Sequence, residues 1–226
     1  MRAAVIGATG LIGNELVQQL SQDSFYSAIT ALVRKPGNFH APSIQEVVVD
    51  FSNDTSLKQH LHVDILFICM GTTIKKAGSK AAFEQADLTI PLRCASLAHE
   101  LGCTQLVVIS SVGARAESNN FYLQVKGRLE QSLTHLQCNS LHIFQPSLLM
   151  GPRKELRIGE KIASYLVPLT DLFCKGALQQ YHSMPYRTLA AAMREAPKQN
   201  HSRLARYTYL SILQLAQQHK VSSAKI

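Results

Sequence analysis

Three groups of residues in this chain have the types and spacing that chemistry requires. The first is the run Gly7-Ala-Thr9-Gly10-Leu11-Ile12-Gly13, which directly follows the apolar stretch Arg2–Ile6. A strand, three glycines at this spacing and the opening of a helix are the setting in which a chain cradles a dinucleotide. Gly7 permits the tight turn, Gly10 lets the backbone approach a pyrophosphate, and Gly13 lets the helix lie close to the strand. The helix N-terminus favours the negative charge. Thr9, Leu11 and Ile12 sit inside this turn and belong to the expected binding site.

The second group ends the next apolar run, Ala31-Leu-Val33, and reads Arg34-Lys35-Pro36. A carboxylate at this point, about 20 residues past the glycines, would bind the ribose hydroxyls of NAD. Two cations suit a 2′-phosphate instead, and a guanidinium can grip it through two parallel hydrogen bonds. The expected cofactor is therefore NADP, with NAD second.

The third group is Tyr122 and Lys126, four residues apart on a predicted helix and preceded by Ser110-Ser111 at the end of a predicted strand. Residues four apart share a helix face, so the phenol and the ammonium point into one space. A cation beside a phenol favours the phenolate, which makes the pair a usable acid or base. Ser111, at the carboxyl end of a strand, is placed to hold a carbonyl oxygen for hydride attack, because parallel sheets bind ligands at that edge.

These groups need a scaffold, and the apolar pattern supplies one. Strands are expected at Ala3–Ile6, Ile29–Val33, Glu46–Val49, Ile65–Cys69, Leu106–Ser110 and Leu141–Phe144, with helices at Leu11–Ser21, Ser56–Leu61, Lys80–Leu101 and Phe121–Leu136. Several strands are unbroken apolar runs, as strands covered on both faces are. The alternation predicts an α/β fold, a doubly wound parallel sheet in one Rossmann-like domain. Residues 1–150 form the dinucleotide-binding core. Beyond Gly151 prolines punctuate the pattern, and residues 151–226 read as a small substrate-side appendix. It carries helices at Glu155–Tyr165 and Tyr186–Glu195, a strand in Tyr207–Leu210 and a last helix capped by Ser211.

The composition of the 226 residues, 46% hydrophobic and 17% charged, excludes a disordered chain. The net charge of +8 is spread along the chain without interleaved aromatics, so it describes a solvated surface and an anionic cofactor rather than a nucleic-acid partner. The five cysteines show no framework spacing, no apolar run would span a membrane, and the strand begins at once. These features point to a reducing compartment, the cytoplasm. His60 and His62 lack a third ligand, so no metal is expected.

Taken together these residues resemble the short-chain dehydrogenase/reductase superfamily. The stretches Val49-Asp50-Phe51, Cys69-Met-Gly71-Thr72-Thr73, Lys76-Ala-Gly-Ser79 and Asn120-Phe-Tyr122-Leu-Gln-Val-Lys126-Gly127 are similar to its atypical branch, which includes the Tat-interacting oxidoreductase-like protein and its bacterial relatives. The resemblance covers residues 1–150 and thins afterwards. It implies that Ser111, Tyr122 and Lys126 form the catalytic triad, and that Lys126 also bonds the nicotinamide ribose. Asp50 and Phe51 would flank the adenine, Gly71, Thr72 and Thr73 would pass over the diphosphate and ribose, and Pro146 with Ser147 would flank the nicotinamide. Asp87 departs from the pattern, since many extended relatives keep an asparagine there.

The expected activity is an NADP-dependent oxidoreductase acting on a small carbonyl or alcohol, with helices 80–101 and 121–136 as the surfaces of a homodimer. The alternatives are a regulatory or redox-sensing NADP-binding protein and an epimerase or dehydratase that retains its cofactor.

Overall fold

The computed structural model of the protein describes residues 1–37, 39, 41–151, 182–199 and 203–222. Within them, six strands alternate with helices much as the apolar pattern predicts: β1 (Arg2–Ile6), β2 (Ala28–Val33), β3 (Ile44–Val48), β4 (Ile65–Ile68), β5 (Gln105–Ile109) and β6 (Ser140–Phe144). Two residues each form β7 (Leu149–Met150) and β8 (Met184–Pro185), which pair with one another, and β9 (Arg203–Tyr207) follows. The main sheet has the order β3-β2-β1-β4-β5-β6-β9, and every pairing in it is parallel.

Successive side chains of a strand point to opposite faces, so each inner strand feeds two cores. In β1, Ala3 and Val5 join Leu16, Val17 and Leu20 of α1 (Leu11–Ser21), whereas Ala4 and Ile6 join Leu57, Leu97 and Leu129 on the other face. Because both faces are covered, these strands read as unbroken apolar runs. On the second face lie α2 (Asp54–Lys58), α5 (Ile90–Glu100) and α6 (Phe121–His135). On the first, α7 (Tyr186–Glu195) and α8 (Tyr209–Ser222) pack with α1.

Three expectations are corrected. The helix expected over Lys80–Leu101 is interrupted: α3 (Ile74–Ala77) and α4 (Lys80–Glu84) lead into a π turn at Gln85–Thr89, and only then does α5 begin. Pro91 is the reason, since it has no N–H to give and its ring crowds the carbonyl one turn back. The backbone slips to the wider spacing, with the Ile90 N–H reaching the Gln85 carbonyl.

The last strand lies at Arg203–Tyr207 rather than Tyr207–Leu210. It is an edge strand, mostly exposed, in which Arg203 and Arg206 interrupt the apolar residues, so it has no apolar run to mark it. Finally, Ser211 is not the cap itself. The Ile212 N–H bonds the Thr208 carbonyl at 2.9 Å, and the Ser211 hydroxyl reaches back to accept the Thr208 N–H at 2.9 Å. The helix expected at Glu155–Tyr165 lies outside the described residues.

Candidate functional site

Because every strand of the main sheet runs the same way, everything that immediately follows β1 to β6 collects along one edge. The glycine turn, Arg34-Lys35, Asp50-Phe51, Gly71-Thr72-Thr73, Ser110-Ser111 and Pro146-Ser147 all leave the sheet there. The strand order reverses between β1 and β4, and an open α/β sheet has its crevice at that point.

The two loops at the reversal are in backbone contact. Gly7 has a φ of +76°, and a Cβ on it would lie 2.6 Å from the Cys69 carbonyl carbon. Only glycine adopts that φ freely and leaves that gap. A Cβ on Gly13 would overlap the Gly7 carbonyl oxygen and lie 2.9 Å from the Ala8 Cα. Gly10 is the N-cap of α1 and offers its first amides no side-chain acceptor, and the first turn holds no carboxylate. Of the four N–H groups at this helix start, that of Gly10 bonds the Gly7 carbonyl at 3.0 Å, and the remaining three, of Leu11, Ile12 and Gly13, are left for an anion. A diphosphate therefore fits this turn. Thr9 and Gly10 are exposed, Leu11 is half-buried, and Ile12 is buried in the core, so Ile12 contributes backbone to the turn and packing to the fold.

Arg34 and Lys35 are exposed just past β2. Asp50 is exposed, and its carboxylate accepts the Ser52 N–H at 2.8 Å and the Ser52 hydroxyl at 2.6 Å, bonds that hold it below the usual carboxylate range. Phe51 is turned into the core. Thr73 caps α3 through the Lys76 N–H. Pro146 is buried and its carbonyl accepts the Val112 N–H at 3.0 Å, and the Ser147 hydroxyl bonds the His182 carbonyl.

The start of α6 is built for Tyr122 and Lys126. Asn120 caps the helix by accepting the Leu123 N–H at 3.2 Å. Tyr122 is half-buried with its ring 5.8 Å from that of Phe83. Gly127 follows Lys126 because a Cβ there would overlap the backbone of Arg115 and Ala116; its absence lets the loop after Ser111 lie directly on the helix. The Lys126 side chain is only 3% exposed, and its Nζ lies 2.7 Å from an oxygen of Asp87, which is fully buried. The other Asp87 oxygen accepts the Thr72 N–H at 2.9 Å.

Sequence reasoning singled out Asp87 as a departure but not as this partner. It missed Glu130, one turn beyond Lys126. Glu130 is buried and accepts the Ser110 hydroxyl and the Gln145 amide at 2.8 and 3.0 Å, with Arg206 Nε at 3.6 Å. It ties the ends of β5, β6 and β9 to α6, and the sequence signals nothing of this because the four residues are scattered. The nearby cavity of about 330 Å³ is lined by residues of this brace, such as Arg115, Glu130, Gln145 and Arg206, and by none of the glycine turn. Glu130→Ala strands the buried Ser110 hydroxyl and the half-buried Gln145 amide, while the half-exposed Arg206 stays solvated, so it should lower unfolding free energy by about 2 kcal/mol, read by denaturant titration.

The described cysteines offer little to a redox sensor. Cys69, Cys94, Cys103 and Cys138 are buried and free. Burial pushes all four thiols up, Cys94 to about 12 and Cys103 to about 11, which suppresses the reactive thiolate. Cys174 lies outside the described residues.

A sequence model described as NAD(P)H-binding matches residues 7–156. The chain is 32% identical to Protein HTATIP2 of Rattus norvegicus over 84% of this chain and 78% of that one. It is 29% identical to "Protein FMP52, mitochondrial" of Candida glabrata over 98% of each. Among solved structures it is similar to a UDP-glucose 4-epimerase of Thermotoga maritima with UDP-glucose, with a TM-score of 0.70, 12% identity, and 96% and 82% of the two chains covered. It is also similar to MoeE5 in complex with UDP-glucuronic acid and NAD, with a TM-score of 0.69, 16% identity, and 98% and 83% covered. At these identities the structures speak for the fold alone. The fungal relatives' mitochondrial names overturn the expectation of a cytoplasmic protein. That expectation rested on unpaired cysteines, an early first strand and the lack of a spanning apolar run, and unpaired cysteines fit any reducing compartment.

Proposed function

The chain belongs to the NAD(P)H-binding family, within the atypical short-chain dehydrogenase/reductase branch, and from that premise we propose that it is an NADP-dependent oxidoreductase of small carbonyls or alcohols. The observation that carries the reading is the placement of Tyr122 and Lys126 one helical turn apart at the carboxyl edge of the sheet, with the lysine almost completely buried.

When bound, the nicotinamide supplies or accepts the hydride. The residues of the chain do the rest. The amides opening α1 bind the diphosphate, and the glycines keep that approach open. Arg34, with Lys35, grips the 2′-phosphate. Asp50 and the Phe51 backbone border the adenine, Gly71, Thr72 and Thr73 cover the diphosphate and ribose, and Pro146 with Ser147 borders the nicotinamide. Lys126 bonds the ribose. Ser111 donates to the substrate oxygen and fixes its orientation. Tyr122 gives that oxygen a proton in reduction and takes it back in oxidation, and Lys126 stabilises the phenolate left behind.

Calorimetric titration with NADP and NAD tests the premise. NADP should bind at least tenfold more tightly, and Arg34→Ala should weaken NADP by about tenfold to thirtyfold while leaving NAD unchanged. Equal affinities would remove the NADP assignment, and failure of both to bind would remove the reading altogether. A panel of carbonyl compounds with NADPH oxidation as readout then tests the reaction. An isomerised or dehydrated product with the cofactor unconsumed would make the chain an epimerase or dehydratase. Tight binding without turnover across the panel would favour the regulatory alternative.

A further inference from the structure

The Asp87 carboxylate touches two parts of the site at once, and the reaction above leaves that connection unused. One oxygen meets the Lys126 ammonium at 2.7 Å and the other accepts the Thr72 N–H at 2.9 Å, so the loop after β4 and the helix carrying Tyr122 meet at a single side chain. The π turn forced by Pro91 is what carries Asp87 into this position.

The charges around the lysine are few. On its own helix, Tyr122 lies one turn before it and Glu130 one turn after, the latter already engaged by Ser110, Gln145 and Arg206. From the α4 side, Glu84 is paired with Arg128 at 2.7 Å, both part-exposed. Among the described residues, Asp87 is thus the carboxylate that meets the ammonium.

We propose that Asp87 is a positioning residue that locks the cofactor-covering loop to the proton-transfer helix. The anchor rests on these contacts, and only the roles given to the loop and the helix rest on the oxidoreductase reading.

Two substitutions test the anchor. Asp87→Asn keeps an acceptor for the Thr72 N–H and removes the charge. This variant should keep Thr72 exchange and NADP affinity within about threefold of the parent. Asp87→Ala removes both functions. Its Thr72 amide should exchange with deuterium at least tenfold faster in the free protein, and NADP should bind about tenfold more weakly.

Thr72 exchange as fast in Asp87→Asn as in Asp87→Ala would overturn the role of the acceptor. Unchanged Thr72 exchange in Asp87→Ala would overturn the anchor. Should either variant fold poorly, the parent chain decides: its Thr72 amide should exchange at least tenfold more slowly than an unpaired loop amide, and unprotected exchange there counts against the proposal. If Tyr122→Phe remained active, the functional reading would fail while the exchange and affinity measurements still decided the anchor.

Discussion

A Tyr122→Phe variant should turn over substrate about 10²–10⁴-fold more slowly than the parent chain while binding NADP within about twofold. The substitution removes one hydroxyl and nothing else. The ring keeps its packing against Phe83, 5.8 Å away, and α6 keeps its Asn120 cap, so the helix start stays in place. Lys126 keeps its ion pair with Asp87, so the buried cation is not orphaned. What disappears is the proton that must reach the substrate oxygen as the carbonyl is reduced. The measurement is steady-state kcat beside a calorimetric Kd. Undiminished turnover would move proton transfer to another group and leave Tyr122 as packing.

Gly13→Ala should reduce nucleotide affinity by at least about a hundredfold and cost about 3 kcal/mol of stability. The added methyl overlaps the Gly7 carbonyl oxygen, and the neighbouring obstacles are backbone atoms of Gly7 and Ala8 that have no rotamer to escape into. Relief requires α1 to move off the strand, which opens the core packed by Leu16, Val17 and Leu20 and misaims the amides meant for the diphosphate. Gly10→Ala is the control. Its methyl would lie 3.2 Å from the Gly7 carbonyl oxygen, a tight but tolerable contact, and it projects from an exposed residue. That variant should lose affinity with little loss of melting temperature. Thermal unfolding and NADP titration on the pair separate the two effects, and a Gly13→Ala chain with parental Tm and affinity would refute the close-packed turn.

The outline of the fold was legible in the sequence because it depends on local periodicity. Residues such as Ala3–Ile6 and Ile65–Ile68 are apolar at every position, which only strands covered on both faces require. The glycines of the turn and the spacing of Tyr122 and Lys126 are equally local, since each is fixed by the geometry of one strand–helix junction or one helical turn. Where the pattern was silent, the controlling contact was distant. The basic edge strand Arg203–Tyr207 has no apolar signature, because its place is decided by pairing with β6 rather than by burial.

The sequence by itself determined that strands, glycine turn and helix would meet in a parallel sheet with a cation-flanked turn and a Tyr–Lys pair. Tertiary structure alone decided which charges face each other. Asp87 and Lys126 lie on separate helices, and their pairing depends on a register slip at Pro91 that no hydrophobic pattern encodes. Glu130 likewise finds Ser110, Gln145 and Arg206 only once β5, β6, β9 and α6 are assembled. Burial of apolar side chains needs only the right face, so periodicity reveals it. A buried ion pair or hydrogen bond needs a particular partner at about 3 Å, and that partner is chosen only when the whole chain has folded.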